Sequence, residues 1–135
     1  MRSLDTNTLL RLLLADVPEQ TSIVEKLVAD TSQKFAVEDM VFAEIVWVLQ
    51  GKLYNYDRQR IVINIQSIIA MKHISCNRVM LERAVPLYLE HKKISFIDAC
   101  LAAYAELNDA KPLLTFDKNL AESVPEIVTK LVDFI

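Results

Sequence analysis

The sequence predicts an α/β fold with a short, mostly parallel β-sheet, carried by one domain over residues 1–135. Short strand-like segments alternate with longer stretches of helical periodicity. Often two helices separate one strand from the next, the pattern of parallel crossovers. A chain of this length normally forms one domain and buries about two-thirds of its unfolded surface. No Ser/Gly-rich or Pro-rich tract marks a linker, and no internal repeat is visible.

Arg2 to Leu4 make a short apolar-leaning start that ends at Asp5. Leu9, Leu10, Leu13 and Leu14 then recur at helical spacing. Pro18 suits the first position of a second helix, with Ile23, Val24, Leu27 and Val28 as its buried face. Lys34 to Val37 reads as a strand. Met40 to Leu49 reads as a buried helix closed by Gly51 in a left-handed cap. Asp57 to Ala70 is rich in isoleucine, which favours strand, but its length and the spacing of Ile61, Ile65, Ile68 and Ile69 favour helix. Lys72 to Cys76 suits a short strand. Asn77 caps a helix reaching about His91, with Pro86 kinking or splitting it. Ser95 starts a helix through Leu107, Pro112 to Phe116 is a buried strand, Lys118 to Ser123 a short helix, and Ile127 to Phe134 a final strand. Asn55, Asn77, Asn108 and Asp109 supply turn geometry in place of glycine.

Glycine is the outlier in composition. The chain has 1, where average usage would give roughly nine. A dinucleotide fingerprint, a Walker A loop and a nucleophile elbow each need glycines at fixed positions, so none can be built here. Phosphate, if handled, is not cradled by a glycine-rich loop. The net charge of −3 argues against affinity from general phosphate neutralisation but leaves room for an enzyme that grips nucleic acid locally. Hydrophobic residues reach 53%, so either the core is large or apolar surface is kept for a partner. No apolar run is long enough to span a bilayer, and LLRLLLA is interrupted by Arg11 and preceded by Asp5, a poor signal peptide. A cytoplasmic protein is expected. Cys76 and Cys100 form no CxxC motif, and a disulfide between them is disfavoured.

Two carboxylates stand out. MVFAEIVWVL, from Met40 to Leu49, holds one charge, Glu44, and FIDACLAAYA, from Phe96 to Ala105, holds one, Asp98. Their helical neighbours at three and four residues' distance carry no positive charge, so burial of either would need compensation from elsewhere. Asp5 after RSL and Asp117 after LLTF fall at strand C-termini, the edge of a parallel sheet where ligand sites form. Four ionised carboxylates share a site only around a cation. Hard oxygen ligands select Mg²⁺ or Mn²⁺, whereas His73 and His91 lack zinc-ligand spacing. Such a metal activates water for phosphodiester or phosphomonoester hydrolysis. Simpler roles exist for each: Asp5 and Asp117 as helix caps, Ser95 with Asp98 as a capping box, Glu44 in a long-range salt bridge, for instance to Arg11. Glu38 and Asp39 read as a helix start.

These segments resemble the PIN-domain ribonucleases, specifically the VapC-type toxins of toxin–antitoxin pairs. LDTNTLLRLLLADVPEQ resembles that family's first strand and helix, AEIVWVL its glutamate helix, FIDACLAAYA its third acidic motif and LLTFDKNL its fourth. The four lie in the family's order and spacing across nearly the whole chain. The resemblance implies a PIN-like three-layer fold with about seven helices around the sheet. It implies Asp5, Glu44, Asp98 and Asp117 as catalytic metal ligands, Asp117 standing at the family's more variable position. Asn7 and Thr115 match its supporting polar residues; alternatively they are an ordinary helix-start residue and a strand threonine. It implies an Mg²⁺- or Mn²⁺-dependent endoribonuclease with an RNA substrate, a cognate antitoxin whose C-terminal segment fills an apolar groove, and a homodimer, with no membrane association. Lys52, Arg58, Arg60, Lys92, Lys93 and Lys118 are candidate RNA contacts, set against a reading as solvated surface charge. Two other functions compete: a catalytically weak interaction module on the same fold, and an aspartyl-nucleophile phosphatase, in which Asn7 stands where a second acid is needed.

Overall fold

A computed structural model describes all 135 residues, in two compact units, Met1–Asn77 and Arg78–Ile135. The first contains β1 (Arg2–Ser3), α1 (Thr6–Leu14), α2 (Pro18–Ala29), β2 (Phe35–Ala36), α3 (Asp39–Gln50), α4 (Arg58–Ile69) and β3 (Ile74–Ser75). Its strands form one parallel sheet in the order β1-β2-β3, with Arg2 opposite Phe35 and Phe35 opposite Ile74. Two helices lie in each crossover, as the sequence predicts. The strands are only two residues long, but Leu4 N–H to Ala36 O and Val37 N–H to Ser75 O, each 2.9 Å, carry the pairing one residue further.

The second unit contains α5 (Arg78–Glu90), α6 (Phe96–Leu107), β4 (Leu113–Thr115), α7 (Lys118–Ser123), β5 (Val128–Lys130) and α8 (Leu131–Phe134). β4 and β5 form a separate two-stranded parallel sheet joined through α7. The α/β class with short parallel sheets is therefore present, with eight helices and two sheets where about seven helices and one sheet are expected.

The isoleucine-rich segment is helical. Asp57 caps α4 by accepting the Arg60 N–H at 2.9 Å, and Ile61, Ile65 and Ile68 line one buried face. Fully burying each such side chain contributes about 1.5–3 kcal/mol, more than the small helix-propensity cost of β-branching. Phe35, Phe42, Ile45, Leu49 and Ile74 complete that core. In the second unit α5 packs on α6 through Leu81, Ala84, Tyr88 and Phe96, the two rings edge to face at 5.5 Å. Pro86 lies within α5 without splitting it. The missing N–H costs one helical bond, and the packed face holds the helix together.

Several expectations are overturned. Ile23 is 67% exposed; the buried face of α2 is Thr21 and Val24, because the Thr21 hydroxyl finds a partner in the Arg11 carbonyl at 2.7 Å. Gly51 is extended (φ −64°, ψ 169°) rather than left-handed. A Cβ there would meet the Val48 carbonyl oxygen at 3.2 Å, so close backbone approach is what a glycine relieves. The left-handed residues are Ala15, Asn55 and Asp109; Asn108 has φ −109°. Leu113–Thr115 is only half-covered and Phe116 is 79% exposed, since β4 has a single neighbouring strand. Only Val128–Lys130 of the expected final strand pairs, because β4 ends after three residues; Leu131–Phe134 turns helical, with Asp133 in its first turn. Cys76 and Cys100 form no disulfide.

Candidate active site

In the first unit, Asp5 stands two residues beyond β1 and caps α1. Its backbone is extended (φ −90°, ψ 175°), and Oδ1 accepts the Thr8 N–H at 2.9 Å. That bond, followed by one from the Thr8 side chain, holds the Asp5 carboxyl below the ordinary aspartate value. Asp5, Asn7, Thr8, Arg11 and Gln20 line a cleft of about 300 Å³. This places Asn7 beside Asp5.

Glu44 is not buried. It lies on the outer face of α3 between Met40 (70% exposed) and Trp47 (73% exposed), one turn away on either side. The apolar residues around it in sequence are therefore partly surface, and no desolvated carboxylate has to be compensated. Nor does Arg11 pair with it: Arg11 Nη1 takes Asp16 at 3.2 Å. Instead the Thr6 hydroxyl donates to Glu44 Oε1 at 3.0 Å, across the contact between α1 and α3. Sequence reasoning passes over Thr6. It lies 38 residues from Glu44, and no spacing rule links them.

In the second unit, Ser95 caps α6 by accepting the Asp98 N–H at 3.0 Å, which fixes Asp98 in the first turn, half-buried. Asp117 stands two residues beyond β4 and caps α7, Oδ1 accepting the Leu120 N–H at 3.1 Å. The Asp117 N–H donates to the Thr115 hydroxyl at 2.9 Å, so Thr115 braces the backbone that presents Asp117. Capping by Asp5, Asp117 and Ser95 is thus real. Capping occupies Oδ1 of each aspartate and leaves Oδ2 outside the cap.

The sequence pattern of the PIN domain matches residues 3–124. The chain belongs to the PIN-domain family. The match spans both compact units and contains all four acids. PIN domains have a nuclease-type fold, and this one is assigned to the hydrolases in that general sense. No curated protein matches the chain.

Donor chemistry of this PIN domain suits a hard divalent ion: the candidate ligands are carboxylates, and Asp5, Glu44 and Asp117 are each anchored through one oxygen by a neutral hydroxyl or amide. No three His, Cys, Asp or Glu side chains stand together as a group that could hold a metal ion. Of the candidate RNA contacts, Arg60 stacks 3.8 Å over the Tyr56 ring and Lys118 pairs with Glu122 at 3.8 Å, while Lys52, Lys92 and Lys93 are exposed. His73 bonds the Val28 carbonyl at 2.8 Å. No helix is long and apolar enough to cross a membrane.

Proposed function

We propose that this PIN domain is a cytoplasmic, Mg²⁺- or Mn²⁺-dependent endoribonuclease and the toxin of a VapBC-type pair. Asp5, Glu44, Asp98 and Asp117 are its metal ligands and catalytic acids, with Asn7 and Thr115 as supporting residues. The observation that carries the reading is the family match over residues 3–124, which takes in the whole quartet. A bound divalent ion would supply an activated water and offset charge developing on the phosphate. The chain's own contribution is placement: the caps at Asp5 and Asp117 and the Thr6 hydroxyl on Glu44 each hold one carboxylate oxygen, and the Ser95 cap fixes the backbone that carries Asp98. Fixed ligands lose less freedom when metal binds.

The partners proposed are RNA, a second copy of the chain and a cognate antitoxin. Exposed apolar residues support protein partners. Ile97, Leu101 and Tyr104 form a stripe at helical spacing on α6, and Met40 and Trp47 flank Glu44 on α3. Those stripes also favour the second reading, an interaction module without useful catalysis.

Two experiments decide between them. The nuclease reading expects RNA cleavage that requires divalent metal and is lost in Asp98→Asn; full activity of that variant, or activity in excess chelator, refutes it. It also expects micromolar-scale Mn²⁺ binding by calorimetry that Glu44→Gln abolishes. An interaction module shows no such binding.

A further inference from the structure

The cleft beside Asp5 lies between two helices. Asn7, Thr8 and Arg11 of α1 line one side, and Gln20, Ile23 and Val24 of α2 the other. The Thr21 hydroxyl donates to the Arg11 carbonyl at 2.7 Å, so the two sides are tied together at the residue next to Gln20 and the cleft is preformed. At about 300 Å³ it stands at the lower end of the range that small-molecule sites occupy, about 300–1,000 Å³. Its charge is balanced rather than positive: Asp5 is acidic, and the one cation, Arg11, already holds Asp16 at 3.2 Å. A phosphate group would meet Asp5 with no spare cation to offset the repulsion. An apolar side chain would bury the Asn7 and Gln20 amides without partners, which is costly. A flat, neutral ligand with hydrogen-bonding edges satisfies both limits, and a nucleobase is such a ligand. Gln20 is exposed, and its amide carries a donor and an acceptor side by side. That pair matches the amino group and ring nitrogen along one edge of adenine. About one turn further along α2, Ile23 is 67% exposed and offers an apolar surface for the ring to cover.

Resting on the ribonuclease part of the reading above, we propose that this cleft is a base-reading subsite for single-stranded RNA and that Gln20 is its specificity-determining residue, selecting adenine for the position next to Asp5. Sequence-specific recognition of RNA falls mostly on unpaired bases, whose edges are open to such an amide. A bidentate pair of an amide with adenine discriminates against the wrong base by about 5–150-fold. The contact draws only on the side chains of the cleft and needs no metal ion.

The test is fluorescence anisotropy of the full chain with labelled uridine octamers that carry one central adenine, guanine or cytosine, or none, at low salt and in excess chelator so that no strand is cut. Expected is an affinity for the adenine strand about tenfold above that for the all-uridine strand, with the ratio falling to within about twofold of unity in Gln20→Ala. If that variant lowers the melting temperature, the side-chain amide resonances of Gln20 in isotope-labelled wild-type chain take its place, and they should shift more with 5′-AMP than with 5′-UMP. Absence of binding, equal affinity for all four strands, a preference for another base, or an adenine preference that survives in Gln20→Ala overturns the subsite. Cleavage is scored separately on the same strands with Mg²⁺ or Mn²⁺. Cutting without an adenine preference leaves the nuclease reading standing, and failure to cut any RNA refutes that reading instead.

Discussion

Asp5 has two roles assigned to it, helix cap and metal ligand, and substitution can separate them. As a cap it needs an oxygen at Oδ1 to accept the Thr8 N–H at 2.9 Å. Asparagine supplies such an oxygen and caps about as well as aspartate, whereas alanine supplies none and costs about 1 kcal/mol. Asn gives up the favourable interaction of a charge with the helix dipole, a further few tenths of a kcal/mol at an exposed site. For a chain of 135 residues 1 kcal/mol corresponds to about 3–5 °C in melting temperature. Asp5→Asn should therefore melt within about 2 °C of the wild type and Asp5→Ala about 3–5 °C below it. As a ligand, by contrast, Asp5 needs its negative charge, which both variants lack. Both should lose RNA cleavage and Mn²⁺ affinity by a hundredfold or more, beyond the about 10–100-fold cost of removing an outer-shell group.

The pH dependence gives a second separation. The Asp5 carboxyl is held below its ordinary value of 3.8, so the charged cap stabilises the fold above that pH and the benefit fades as pH falls through the lower folded value. Asp5→Asn should lack that component of acid sensitivity. The assays are a melt series from pH 7 to pH 3, a labelled-RNA cleavage assay with Mg²⁺ and Mn²⁺, and calorimetry. An Asp5→Asn protein that cleaves RNA and binds Mn²⁺ like the wild type would reduce Asp5 to a cap and remove it from the ligand set.

Two further outcomes follow from other contacts. Arg83 on α5 and Glu106 on α6 form an ion pair, and the hydrogen bond from Arg83 holds the Glu106 carboxyl below its ordinary value of 4.5. The stabilisation is present above that value and is lost as pH falls through the lower folded one, so Glu106→Gln should cost about 0.5 kcal/mol at pH 7 and almost nothing near pH 3, read from urea midpoints. Leu101 belongs to the exposed stripe on α6, so Leu101→Glu should change stability by no more than about 0.5 kcal/mol while shifting sedimentation toward the monomer; an unchanged dimer fraction would place the proposed homodimer surface elsewhere.

Legibility of the fold followed the length of each element. Helices of about twelve residues carry several turns of pattern: α3 and α6 were readable to within a residue or two, and α4 in its bounds, although its isoleucines left strand and helix both open. The strands are two or three residues long, too short for alternation to show which sheet they join. For that reason the division into two sheets and the helical turn of Leu131–Phe134 were hidden. Gly51 looked like a left-handed cap because glycine commonly plays that part. Its actual constraint is the Val48 carbonyl oxygen, 3.2 Å from where a Cβ would stand, in the last turn of its own helix; a helix-ending glycine reads the same in sequence whether it is left-handed or extended.

At the candidate site, the sequence pointed to Glu44 for a reason the fold does not bear out. Nine apolar residues surrounding one carboxylate suggested a buried charge, yet composition cannot tell which face of a helix is covered. The inner face of α3 is Phe42, Ile45, Val46 and Leu49; Met40, Glu44 and Trp47 share the outer one. The anomaly is thus an acid on an exposed apolar surface. Of the two explanations for a 53% hydrophobic chain, a large core or surface kept for a partner, α3 therefore supplies instances of both. It also alters the electrostatic reasoning. An exposed Glu44 needs no counter-charge to be tolerated, so a neutral hydroxyl is enough to hold it. A ligand that covered Met40 and Trp47 would strip water from the same carboxylate and make its unneutralised charge costly. Cation binding at Glu44 and the covering of its apolar flanks should therefore favour one another.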